Sequence, residues 1–552
     1  MNRLFTFLFL SLLFNIVQAQ LRSPEYQKGK AILSGTIANY SPDDHPDLKI
    51  GAPNIVMGAA ETLFPTIEAD GSFKINIPLY HNTQVRMTIG KADIVILLSP
   101  DKETNVAVNL SNPQGKQFVF SGQYATINNE WCQPELITRI APVYRNGDIL
   151  DSIAGISANE FKKRCIDQYK QCVAHNNTKT QFSEDTRTLA NLSCAFDCIE
   201  NLNATRYCLQ TAYQKKENIT REQASTAFAN FDFPANFYDF LKSFPVNHPL
   251  ALYCYNYRNV ISGELYELHH DPLKFEKYLL SKAALTKEEQ ALIRQYETAL
   301  KTGIPFQQGS ELIALIAKYP KEYNEFSQKL FTKAKEYLSH IMQDSTCLMV
   351  DYIRAIYMRS SLYNLKPLTT QQEAMATEIT NPIFLGIIQD MNRQMQPRAK
   401  VTTKKYSVCE APKVSEEELL SALVDRHKGK VQFIDFWATW CGGCRRTIKE
   451  YEPIKKELGE NVAFVYLTGP SSIEKTWKIL IQDIVGEHYW LNEKQWGYLW
   501  KHFQMKGLPM YLVIDKQGNI VKRFTHVTRK ELEELFLSST YKCNFLGADN
   551  KQ

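Results

Sequence analysis

What the chain lacks narrows it first. Beyond its opening run, no stretch of the 552 residues is long and apolar enough to suggest a membrane span. It has no low-complexity tract and no fixed-period repeat that would indicate a solenoid. Charge is nearly balanced, with 64 Lys and Arg against 59 Asp and Glu, and no dense basic stripe occurs, which argues against nucleic acid as a partner. Of the twelve cysteines only Cys441 and Cys444 form a C-x-x-C, and no second pair at zinc spacing accompanies them, so no metal is expected. His269-His270, flanked by Glu267 and Asp271, reads as an ordinary pair near a helix end in preference to a metal site.

What is present is a globular composition, 44% hydrophobic and 22% charged, over a length that suggests about three or four domains. Met1-Asn2-Arg3 is a short positive segment, Leu4 to Val17 is almost wholly apolar, and Ala19 supplies a small residue at a cleavage point. Residues 1–19 therefore read as a secretory signal peptide; a retained anchor is the rival reading, against which the shortness of the run counts. No cysteine closely follows the run, so lipid attachment there is not expected. The expectation is an exported, periplasmic protein, soluble after cleavage, in a compartment that permits disulfides.

The rest divides by periodicity into a multidomain chain. Residues 20–123 carry short alternating runs (Ala31 to Ile37, Ser72 to Leu79, Val85 to Ile89, Ile94 to Leu98, Val106 to Leu110, Phe118 to Phe120) separated by turn signals such as Ala69-Asp70-Gly71, Ser99-Pro100-Asp101 and Asn112-Pro113. They predict an all-β sandwich with no catalytic constellation. Residues 124–395 shift to three- and four-residue spacing and predict an all-α region with helices over Glu160–Val173, Thr186–Tyr213, Phe237–Phe244, Leu250–Leu268, Lys287–Lys301, Ser310–Ala317 and Glu322–Ile341. If the first two form an antiparallel hairpin, Cys172 stands level with Cys194 and Cys165 near Cys198. One or two disulfides across that hairpin, or four thiols packed as small apolar groups, both fit. Residues 396–414 read as a linker, 415–540 as a C-terminal α/β domain opened by a helix capped at Ser415, and 541–552 as a tail. Cys409 and Cys543 flank that domain and are either a clasp or two free thiols.

The chemistry lies at Val431–Glu450. An apolar strand runs into Cys441-Gly442-Gly443-Cys444, and an amphipathic helix follows. That order puts both cysteines at a helix start, where unpaired N–H groups and the positive end of the helix dipole stabilise a thiolate. The thiolate is the form that attacks a disulfide, and the second cysteine can resolve the mixed disulfide that results. Later elements follow in the order β-α-α-β-β-α, with strands at Val462–Leu467, Met510–Ile514 and Ile520–Phe524, helices at Ile473–Ile484 and Glu493–Phe503, and a last helix from Thr528.

The stretch Asp435-Phe436-Trp437-Ala438-Thr439-Trp440-Cys441-Gly442-Gly443-Cys444 resembles the active-site segment of the thioredoxin superfamily, and among its branches the exported TlpA/ResA-like thiol-disulfide oxidoreductases. Lys506-Gly507-Leu508-Pro509-Met510-Tyr511 resembles that family's Gly-x-Pro element, whose proline is cis, and Val513 to Ile520 resembles its β-turn; the likeness covers roughly Val414 to Ser538. The resemblance implies a thioredoxin-like domain at 415–540 with Cys441 as attacking thiolate, Cys444 as resolving cysteine and Asp435 as the buried carboxylate that takes the Cys444 proton. It implies substrate docking at Trp440, Leu508 and Pro509, and no cofactor beyond the Cys441–Cys444 disulfide. It also implies protein thiols and disulfides as partners, with a membrane protein as electron donor. Two departures bear on direction. Gly442-Gly443 replaces the Gly-Pro of reducing thioredoxins and the Pro-His of strong oxidants, and without the histidine the reading leans toward a reductase. Lys449 stands where the family's helix-kinking proline falls, and Pro453 comes later. An oxidase or isomerase of the same fold, or a binding protein with a vestigial domain, are the alternatives.

Overall fold

A computed structural model describes residues 21–525, except 42–47, 112–116, 229–230, 232, 235, 262–273, 283, 303–308, 364–365, 396–405 and 459–460. The leader at 1–19, Asn112-Pro113, the His269-His270 pair, the first part of the linker, the helix from Thr528, Cys543 and the 541–552 tail lie outside the described residues.

The first eight strands form two four-stranded sheets. They are β1 (Gly29–Ile37), β2 (Leu48–Asn54), β3 (Ala59–Leu63), β4 (Ser72–Leu79), β5 (Thr83–Ile89), β6 (Ala92–Leu98), β7 (Glu103–Val108) and β8 (Phe118–Gly122), ordered β4-β1-β7-β8 and β3-β2-β5-β6. Alternate residues turn inward from both sheets, so Leu33 of β1, Val106 of β7, Ile50 of β2 and Met87 of β5 meet in one core. Periodicity overlooks β2 and β3. The first carries Gly51 and Pro53, which read as breakers, and the second is Ala-Ala-Glu-Thr-Leu, with too little apolar alternation to stand out.

Long helices follow, among them Ala158–Asn177, Glu184–Asn203, Thr205–Glu217, Pro320–Met342, Leu348–Tyr363 and Pro382–Gln394. Ser157 and Ser183 cap the first two by accepting backbone N–H bonds. Helical reading fails at Phe237–Phe244 and Leu250–Leu268. The described parts are short 3-10 turns at Phe237–Ser243, Ala251–Tyr253 and Tyr255–Asn259. Pro245 and Pro249 interrupt the backbone, and the apolar residues there are aromatics such as Phe237, Tyr253 and Tyr257, buried by irregular packing and not along a stripe. The helical hairpin places Cys172 and Cys194 in a side-chain hydrogen bond, and the Cys198 thiol donates to the Cys165 carbonyl at 3.3 Å. All four are thiols, so the structure holds the packed, reduced alternative. A single apolar cluster runs from Ile55 and Val56 in the β2–β3 turn and Leu97 of β6 to Ile388 in the last of these helices.

The C-terminal part is one six-stranded sheet in the order β14-β13-β10-β11-β12-β9. Its strands are β9 (Tyr406–Cys409), β10 (Val431–Phe436), β11 (Val462–Thr468), β12 (Gly486–Trp490), β13 (Met510–Ile514) and β14 (Ile520–Phe524). β10 is central and buried at every position, parallel to β11 and antiparallel to β13. Two apolar cores cover its two faces. Three expectations are corrected. Part of the supposed linker is β9, which pairs parallel with β12 at the sheet edge. The opening helix is Leu419–Asp425, and Ser415 instead donates its hydroxyl to Glu418 at 2.9 Å to close a preceding turn. β12 was overlooked because Gly486-Glu487-His488 puts polar groups into a short strand that is only partly buried.

Candidate active site

The site begins where β10 ends. The Trp437 N–H donates to the Leu467 carbonyl at 3.0 Å and the Trp437 carbonyl accepts from the Thr468 hydroxyl at 2.9 Å, while the Thr439 N–H donates to Ser472 Oγ at 3.1 Å. These bonds pin a short loop that delivers Cys441 to the N-cap of the helix Gly442–Glu450. There the Cys444 backbone N–H donates to the Cys441 sulfur at 3.1 Å, so one of the helix's unpaired donors is aimed at the atom that would carry thiolate charge. Cys441 and Cys444 are joined by a disulfide; Cys444 is fully buried and Cys441 is 6% exposed. The helix ends at Glu450, and after Tyr451 a second helix runs Glu452–Leu458. Pro453, which has no N–H to continue the ladder, accounts for the break and replaces the missing earlier proline.

Asp435 lies on the same face of the sheet. Residues alternate along a strand, and Val431 and Phe433, four and two residues back, belong to the core that contains Cys441 and Cys444, whereas Ile434 and Phe436 belong to the opposite one. Asp435 is fully buried, and neither carboxylate oxygen has a hydrogen-bond partner among the described residues. In register it faces Tyr466 of β11 and Tyr511 of β13. Burial pushes its carboxyl from 3.8 up to about 8, against the pull of Lys455 in the other direction. Lys455 escaped the sequence reading, since a lysine in an amphipathic helix ordinarily points to water. Its side chain is 5% exposed and pairs with Glu452 at 3.3 Å, and its ammonium lies 4.8 Å from the Tyr466 ring centroid. Burial pulls its own pKa down, opposed by Glu452 and then Asp435.

The three residues expected to meet substrate surround the dithiol turn. Trp440 is 40% exposed. Leu508 and Pro509 are half-buried, joined by a cis peptide bond, and the Pro509 ring comes within 3.8 Å of where a Cβ on Gly443 would stand. Beside Gly442 stands Tyr363, a residue from the end of the upstream helix that sequence reasoning did not connect to the site. Among the described residues no group of three or more His, Cys, Asp or Glu is placed to hold a metal ion.

This arrangement, a dithiol at a helix start beside a central strand and opposite a proline loop, is the one expected of a thioredoxin-like domain, and residues 424–537 match the family profile described in those words. The C-terminal domain is thioredoxin-like. A relative of it is a thiol-disulfide oxidoreductase. Thiol-disulfide oxidoreductase ResA of Geobacillus kaustophilus (strain HTA426) is 32% identical over 126 residues, which is 20% of this chain and 64% of that protein. The chain thus spans less than two thirds of that relative. Among solved structures, a thiol:disulfide interchange protein of the thioredoxin family from Chlorobium tepidum TLS is 21% identical, covering 22% of this chain and 84% of the other with a TM-score of 0.20. StoA from Bacillus subtilis is 18% identical, covering 19% and 82%, with a TM-score of 0.17. No helix among the described residues is long and apolar enough to cross a membrane.

Proposed function

We propose that the protein is an exported, periplasmic thiol-disulfide oxidoreductase that reduces protein disulfides. The observation that carries this is the helix-start dithiol, with the Cys444 N–H on the Cys441 sulfur, beneath which a buried Asp435 occupies the same face of the sheet. In the reduced enzyme the Cys441 thiolate attacks one sulfur of a substrate disulfide. A Cys441–substrate mixed disulfide forms and one substrate thiolate leaves. The Cys444 thiol then gives its proton to the Asp435 carboxylate and attacks the Cys441 sulfur, forming the Cys441–Cys444 disulfide and releasing the second substrate thiolate. Two electrons pass from dithiol to substrate, and no cofactor or metal is needed. Trp440, Leu508 and Pro509 form the apolar rim against which substrate docks. A membrane thiol-electron donor returns the enzyme to its dithiol form, and residues 1–19 direct export. The sheets of 20–123, as a β-sandwich, and the helices of 124–395 serve as the support on which residues 415–540 are presented.

The test is insulin reduction by wild type and Cys441→Ser, with dithiothreitol as electron source. Wild-type turnover that the variant lacks is expected, and equal, negligible turnover would refute the enzymatic reading. A potential for the couple close to that of disulfide isomerases, about −180 mV, would refute reduction as the direction. Cys444→Ser should freeze mixed disulfides on Cys441 and so identify the natural substrates.

A further inference from the structure

Two upstream regions reach onto the helix that bears the dithiol. Tyr363, at the end of helix Leu348–Tyr363, presents its ring to Arg445, whose guanidinium lies 4.2 Å from the ring centroid. The Tyr363 carbonyl accepts a hydrogen bond from Arg445 Nη1 at 3.0 Å. One turn further along, Lys449 pairs with Glu61 of β3 at 3.1 Å. The exposed ion pair contributes little alone. Together with the stacked and hydrogen-bonded Arg445, however, it fixes how the upstream regions sit against this helix. The consequence falls on Gly442, next to the attacking cysteine: the Tyr363 hydroxyl stops 3.0 Å from where a Cβ on that glycine would stand.

We infer that Tyr363 is a specificity-determining residue. It narrows the approach to Cys441 so that the site accepts disulfides of small molecules and of extended chain segments and disfavours those of compact folded proteins. The inference rests on the oxidoreductase reading above. Attack requires the target sulfur to reach bonding distance of Cys441 Sγ, and Cys441 as a whole is 6% exposed. Exposed Trp440 immediately precedes Cys441, and the Tyr363 hydroxyl stands beside Gly442, which immediately follows it. An extended segment is only about 5 Å thick in its hydrogen-bonding direction and about 10 Å across its side chains, whereas a folded domain needs an open face. In an isolated thioredoxin-like domain the face beside residue 442 would be open; here a tyrosine hydroxyl from another region of the chain stands beside it. The missing side chain at Gly442 is the trace of that contact in the sequence.

The experiment compares kcat/KM for insulin with kcat/KM for oxidised glutathione, using the full chain and dithiothreitol as electron source. In Tyr363→Ala the backbone bond to Arg445 survives and the ring is gone. The insulin-to-glutathione ratio should rise at least about fivefold, through KM for insulin. Tyr363→Phe removes only the hydroxyl that meets Gly442 and should raise the ratio less than Tyr363→Ala does. Gly442→Ala approaches the same contact from the other side and serves if Tyr363→Ala folds poorly. Its methyl group should lower the ratio when the Tyr363 hydroxyl is present and do so less in the double variant with Tyr363→Phe. A ratio in Tyr363→Ala within about twofold of wild type, an equal change in Tyr363→Phe, or no change in Gly442→Ala overturns the inference. Absence of any Cys441-dependent turnover in wild type, with either substrate, is a separate result and overturns the oxidoreductase reading itself.

Discussion

Replacing Asp435 by Asn isolates one buried carboxyl whose energetic signature is large enough to measure. In the folded chain this group ionises at about 8 instead of 3.8, because burial excludes the water that would solvate its charge. Between those values the unfolded chain has lost the proton and the folded chain still holds it, so stability falls as pH rises through this window. Below about pH 4 both states are protonated and the group contributes nothing; above about pH 8 the whole penalty is present. Roughly four pH units at about 1.4 kcal/mol each give about 6 kcal/mol. Relaxation and water entry around a buried ion reduce such costs, so a difference of about 3–6 kcal/mol is expected. Asn keeps the size and removes the charge. Urea unfolding of the oxidised protein can be followed by tryptophan fluorescence, since six of the seven tryptophans (Trp437, Trp440, Trp477, Trp490, Trp496 and Trp500) lie in the C-terminal domain. Wild type should lose stability between pH 5 and pH 8 relative to Asp435→Asn, and the two should converge near pH 4. The same variant should flatten the pH dependence of resolution, which in wild type rises toward pH 8 as the carboxylate becomes available to take the Cys444 proton. Parallel stability curves for the two proteins across this range would refute the assignment of a neutral buried acid.

Further outcomes follow from the neighbouring groups. Lys455→Met removes the cation that pulls the Asp435 carboxyl downward, so the inflection of the wild-type pH–rate profile should move to higher pH; a shift to lower pH would show that Lys455 acts through something other than its charge. Trp440→Ala should raise KM for insulin severalfold and leave kcat nearly unchanged, read by steady-state kinetics, because the ring is exposed beside the dithiol and offers docking area without touching a reacting proton. Phe433→Ala should cost about 3–5 kcal/mol in urea unfolding, since the ring is buried and stacks 5.3 Å from the Tyr511 ring centroid on the face of the sheet that holds Asp435.

The dithiol turn was legible because its chemistry needs a fixed spacing at a fixed place, a strand end followed by a helix start. Asp435 was legible for a related reason: an acid in an otherwise apolar strand contradicts its surroundings. Lys455 was not, because nothing in the local pattern separates a lysine folded under a helix from one in solvent, and only the tertiary positions of the Phe464 and Tyr466 rings draw it inward. Tyr363 was invisible for a different reason. It lies 78 residues before Cys441 in sequence and reaches Gly442 only through the packing of separate regions. In the upstream regions, clear two-residue alternation found strands such as β5 and β7. The aromatic-rich stretch near Phe237–Tyr257 misled, since apolar residues spaced like a helix were buried by 3-10 turns between prolines.

The edge strand β9 sets where this protein can be cut. Tyr406–Cys409 precedes the residues that carry the thioredoxin-like motifs, yet it covers the edge of β12 through four paired positions from Gly486–Tyr406 to Tyr489–Cys409. A truncated chain beginning at 415 would keep the dithiol, Asp435 and Pro509 but leave the hydrogen-bonding groups of β12 open. Uncovered edges of this kind recruit other strands. Such a fragment is expected to self-associate in proportion to its concentration, while one beginning upstream of Tyr406 stays dispersed. The unit expected to behave as a free-standing module is therefore longer than the stretch that carries the dithiol, Asp435 and Pro509.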